Sequence, residues 1–154
     1  MPWFVPALAG FAGVIVMTIF LRRSRFFSLP ETQMIRAIGS MITKDPKTAL
    51  VPGFIIHSAF GILFAYVYHM LLSTAPGVEP GAIGFWVVVV VCTMMGAVHG
   101  LIVTLFLVIS VAQYHPVEEF RKLEAGDMAA HVIGHVVYGF TIGIMLAWLP
   151  KVFG

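Results

Sequence analysis

Residues 82–112 read AIGFWVVVVVCTMMGAVHGLIVTLFLVISVA, a run with no Asp, Glu, Lys or Arg. At about 1.5 Å per residue a helix of this length exceeds the roughly 30 Å hydrocarbon core of a bilayer, with length to spare for tilt. Three more stretches qualify as spans: about 3–21, 51–72 and 128–149. None has an Asp, Glu, Lys or Arg in its interior. The whole chain is 60% hydrophobic and 10% charged, against about 25% charged in a soluble domain. Too few charges remain to make a water-facing surface. The expected fold is therefore all-α: one transmembrane domain, 1–154, built as a bundle of four transmembrane helices.

The basic residues set the orientation. Arg22, Arg23, Arg25, Arg36, Lys44 and Lys47 fall between the first and second spans, and Arg121 and Lys122 between the third and fourth. Lys151 alone lies elsewhere, so the positive-inside rule places the two basic connections in the cytoplasm and both termini outside. Trp3, Trp86 and Trp148 all fall at the predicted outer ends, where indoles favour the interface. The N-terminal apolar run precedes its arginines, which is the reverse of a signal peptide and suits a retained helix. A net charge of +2 gives no reason to expect nucleic acid.

The first basic connection carries a further element. Ser28 and Glu31 have capping-box spacing, Pro30 suits a first turn, and Met34, Ile35, Ile38, Met41 and Ile42 recur at helical spacing. This predicts an amphipathic interfacial helix over about 30–43, ended by Asp45-Pro46. A shorter helix of the same kind is expected over about 116–124.

The two halves resemble each other. Shifted by 86 residues, Gly10 meets Gly96, Thr18 meets Thr104, Ser24 meets Ser110, Pro30 meets Pro116 and Arg36 meets Lys122. Shifted by 78, His57 meets His135, Phe60 meets Tyr138, Gly61 meets Gly139 and Leu71 meets Leu149. Two parallel-repeat helical hairpins follow, about 1–73 and 82–150, related by an axis along the membrane normal. The shared signature is H-x-x-[FY]-G-x-x-x-[AG]: His57, Phe60, Gly61, Ala65 and His135, Tyr138, Gly139, Gly143. Small residues four apart allow close helix approach in lipid, as do Gly96 and Gly100. With this signature the chain resembles small four-helix bacterial membrane proteins that carry H-x-x-[FY]-G near the start of a helix. The resemblance implies the four-helix fold and a bacterial inner membrane, and implies no activity.

Six histidines are the ionisable groups available within or beside the spans. Intramembrane ionisable residues are functional candidates. His57 and His135 fall at matched depth, about 8–11 Å from the inner end, as paired axial ligands of a haem b would. A (bacterio)chlorophyll held by one such histidine is an alternative, and so is simple interhelical hydrogen bonding. Asp127, His131 and His135 share one helix face at i, i+4, i+8, a possible metal or proton-relay set. Against this, Asp127 has the bland reading of a helix N-cap, which leaves His131 near the headgroups. His99, whose repeat counterpart is Gly13, lies about 20 Å from the inner end of its span, too far out to share a small metal site with His57 unless the helices shift. His69 reads as an interfacial belt residue and His115 as a capping residue.

Much is excluded. G-x-S-x-G, P-loop, H-E-x-x-H and C-x-x-C-H motifs are absent, and no span carries a carboxylate pair. Cys92 is single and reads as a small apolar helix residue. The expectation is no enzyme. It is instead a small subunit of a respiratory or photosynthetic electron-transfer complex, with a purely structural or assembly subunit as the alternative. Phe11, Phe54, Phe64, Phe85 and Phe140 exceed what a small bundle interior can hold and suit lipid or a larger partner complex.

Overall fold

The computed structural model describes residues 2–74 and 84–153, with backbone only at 110 and 111. The expected connection between the second and third spans, and the expected start of the third at residue 82, lie largely outside the described residues. Among those described the chain is all-helical. Helix α1 is Val5–Arg22, α2 is Met34–Thr43, α3 is Leu50–Thr74, α4 is Phe85–Tyr114 and α5 is Ala125–Phe153. All but α2 are long and apolar enough to cross a membrane. A π-helical turn, Leu107–Val111, interrupts α4 near its end.

Small residues decide which helices meet. A Cβ on Gly10 would strike the Gly61 carbonyl and Ala65, so α1 and α3 pack backbone to backbone. A Cβ on Gly96 would strike the His135 carbonyl and Gly139, and one on Gly143 would strike Val89 and Cys92. These glycines bring α4 and α5 equally close. Between α1 and α5, Gly13 receives the Tyr138 ring and Gly134 receives Leu21 and Met17. The helices thus run in the order α3, α1, α5, α4. The outer pair, α3 and α4, meets chiefly where Phe64 and Tyr68 reach His99. The buried core lies along α1 and α5, from Val14 and Met17 to Ile142 and Leu146.

One end holds Trp3, Trp86 and Trp148, all exposed, and there the Tyr66 hydroxyl donates to the Trp3 carbonyl (2.7 Å). The other, basic end carries α2, which packs on α3 through Gly39, Ala49 and Gly53.

Two local expectations change. The capping box at Ser28 and Glu31 does not form, and α2 starts four residues after Pro30. The Ser28 N–H is already bonded to the Arg25 carbonyl (3.1 Å), Ser28 is left-handed (φ 59°), and Glu31 faces Arg25 at 3.4 Å. The expected helix over 116–124 shrinks to a 3-10 turn, Glu118–Phe120. There the Arg121 Nε donates back to the His115 carbonyl (2.7 Å), and the Val117 N–H donates to the His115 Nδ1 (3.0 Å), which curls the chain.

Candidate functional site

The row of helices leaves a cleft between α3 and α4, from mid-helix towards the basic end. It has a volume of about 850 Å³ and is largely apolar, within the roughly 300–1,000 Å³ of ligand pockets. Its back wall is α1 and α5, with Met17 and Tyr138 among its lining. Helix α2 and the connection before α5 border its basic mouth. His115 ties that mouth together. Because its Nδ1 accepts from Val117, its Nε2–H donates, to the Ala37 carbonyl of α2 (2.9 Å).

Four histidines line the cleft: His57 on α3, His99 on α4, and His131 and His135 on α5. His135 is the best oriented. Its Nδ1 lies 3.0 Å from the His131 carbonyl and must donate there, so its Nε2 keeps a lone pair. Metal-ligating histidines are commonly fixed in this way. Gly100 leaves room for the ring, since a Cβ there would meet the His135 side chain. His57 lines the cleft from α3, and its Nε2 is buried and unpartnered. The Nε2 atoms of His131 and His99 are also buried without partners. Each such atom costs about 1–3 kcal/mol if left unsatisfied, and most buried polar atoms in proteins are paired. All three residues line the cleft.

The sequence-level candidates are placed as follows. His57 and His135 do line one cavity, from different walls. His131 is buried in the bundle, with its ring 5.1 Å from that of His135. Asp127 lies in the first turn of α5 and its Oδ2 accepts the Glu124 N–H (3.1 Å), the back-bond of a capping box rather than an N-cap. His99 departs most from expectation. Its ring is 4.8 Å from that of His135 and 4.0 Å from that of Phe64, and its Nδ1 is 3.4 Å from the Tyr68 hydroxyl. Depth counted from the helix end misled here, because it ignores how α4 is set along α5 by Gly96 and Gly100. The useful signal was its neighbour Gly100, whose contact with His135 brings position 99 to the same level. Tyr138, whose hydroxyl donates to the Gly61 carbonyl, was also missed as a cleft residue. His69 sits beside Ser73 near the tryptophan end, apart from this group.

Among the described residues no three His, Cys, Asp or Glu side chains stand close enough to hold a bare metal ion. A metallated macrocycle brings four ligands of its own and asks the protein for one or two imidazoles and apolar walls. The residues present fit that demand. No family model, curated protein or solved structure matches the chain.

Proposed function

We propose that this is an integral membrane protein, a small subunit of a bacterial electron-transfer complex, that binds haem b in the cleft with His57 and His135 as axial ligands. The observation that carries the reading is a pair of histidines lining one cleft from different walls: His135 oriented by its Nδ1–H on the His131 carbonyl, and His57 with its Nε2 buried and without a partner. A bound haem would supply a one-electron couple. The chain's part is to hold two neutral imidazoles, exclude water with apolar walls, and keep the macrocycle near lipid-facing surface from which a partner subunit can exchange electrons. Large exposed side chains such as Phe106, Leu105 and Trp86 on α4 suit lipid or such a partner.

The placement that goes with this reading has the four long helices spanning an inner membrane and both termini periplasmic. The basic connections then face the cytoplasm, with α2 at that interface. Exposed Met41 and Ile42 on α2 support the interfacial position. The two hairpins are read as a parallel repeat. In support, the matched glycines make matched contacts: Gly10 with Gly61 and Ala65, and Gly96 with Gly139.

The deciding experiment is the absorption spectrum of protein purified from haem-replete cells. A Soret band that shifts on reduction is expected. His57→Ala and His135→Ala should each abolish the low-spin spectrum, since bis-imidazole ligation needs both. A far-red band would assign a chlorophyll instead, and no band would leave a structural subunit. For the placement, Lys44→Cys should be labelled only from the cytoplasmic side and Trp3→Cys only from the periplasm; the opposite pattern overturns it.

A further inference from the structure

A second cavity lies at the basic end, between the end of α1, the start of α3 and the segment that enters α2. Its volume is about 400 Å³ and its lining is mainly polar. Residues 31–34 form the wall between it and the histidine cleft, lining both. Arg22, Arg25 and Arg36 line it, with Glu31 as the single carboxylate among its lining. Glu31 pairs with Arg25 (3.4 Å), and Arg36 donates one Nη1 bond to the Pro46 carbonyl (2.6 Å). Arg22 has no ion pair among the described residues. Thr18 and Thr32 also line the cavity, and the hydroxyl oxygen of each is buried with no partner.

Three arginines and two unpartnered threonine hydroxyls lining one cavity suit a tetrahedral oxyanion, because arginine forks match phosphate oxygens and hydroxyls can complete the shell. The surroundings say where that phosphate comes from. The cavity sits at the end of a membrane-length helix, and the neighbouring Phe26 and Phe27 are 79% and 64% exposed. Val51 and Ile55, near the start of α3, are 67% and 62% exposed. We infer that this cavity binds the phosphate headgroup of an anionic phospholipid, with the acyl chains running along the outside of the bundle. Basic pockets at helix ends are a general means of such recognition. The inference rests on the proposed membrane placement and is independent of the haem.

The test is native mass spectrometry of the full chain released from nanodiscs of equal phosphatidylglycerol and phosphatidylcholine. The expected result is a retained phosphatidylglycerol. Arg22→Gln should lower its occupancy roughly fivefold, and Arg22→Gln with Arg36→Gln should lower it further, at about fivefold per arginine near the headgroups. Lys47→Gln, an exposed basic change outside the cavity, should leave it unchanged. Arg36 also braces the Pro46 turn, so the single Arg22→Gln variant decides if the double variant does not fold. Equal retention of the two lipids, equal loss with Lys47→Gln, or no loss with Arg22→Gln overturns the inference. Displacement of the lipid by inorganic phosphate also overturns it, in favour of a free-phosphate site. A chain that does not sediment with membranes at all refutes the placement instead.

Discussion

The seam between α1 and α5 is closed, while the seam between α3 and α4 is open. Under the proposed repeat these are the same seam twice, so the residues at matched positions should explain the difference. On the closed side Gly13 receives the Tyr138 ring, and Gly134 receives Leu21 and Met17. On the open side the counterpart of Gly13 is His99, that of Gly134 is Ile56, and that of Tyr138 is Phe60. Each glycine is replaced by a large side chain. His99 and Ile56 both line the cleft together with Phe60, Val103 and Leu107. We propose that these two bulky residues, at positions where the sister seam has glycine, keep the open seam from closing.

The largest expected effect comes from forcing the closed seam open. Gly13→His puts a side chain where even a Cβ stands 2.7 Å from the Tyr138 ring, and Gly134→Ile crowds Leu21 and Met17. Overpacking typically costs about 1–3 kcal/mol per site, so the pair should lose most of its cooperative unfolding transition in detergent. Wild-type melting in the double variant would show that the glycines do not set the seam.

The converse change is milder. His99→Gly with Ile56→Gly gives the open side the residues of the closed one. Glycine in a helix interior costs about 1 kcal/mol, partly offset if α3 and α4 then pack. Phe60→Cys and Val103→Cys, added to this background, should form a disulfide readily, because closure would bring the Cα atoms within the roughly 7 Å a bridge needs. Cross-linking no better than in the parent would break the comparison.

This contrast also shows what could be read from the chain. The four long helices were legible because lipid demands long uncharged runs, and α5 begins within three residues of the expected start. The glycine contacts of each hairpin were legible because small residues four apart have one main use in such helices. The cleft was not. It depends on which side chains meet at the α3–α4 seam, and the hydropathy of a span does not say which of its positions face a given neighbour. His99 was missed for a related reason: its level depends on the register of α4 against α5, which Gly96 and Gly100 fix, and not on distance from a helix end. The second cavity was hidden as well. The arginines were visible as a charge cluster, but the unpartnered hydroxyls of Thr18 and Thr32 exist only in the folded chain.

The smallest expected effect tests a polar bond that crosses the closed side. The Tyr138 hydroxyl donates to the Gly61 carbonyl, joining α5 to α3 across α1. Its counterpart, Phe60, has no hydroxyl and stands 56% exposed beside the cleft. Tyr138→Phe therefore makes the two halves more alike without changing the ring that fills Gly13. The Gly61 carbonyl keeps a helical acceptor role after the change, so no buried oxygen is stranded. The cost should be that of an ordinary interhelical bond in a membrane, about 0.6 kcal/mol, seen as a small drop in thermal stability. Haem retention should change little, because the ring still backs the cleft. A loss of several kcal/mol would mean that this bond, and not the glycine packing, sets the spacing of α3 and α5, and the explanation of the open seam would then have to start from Tyr138.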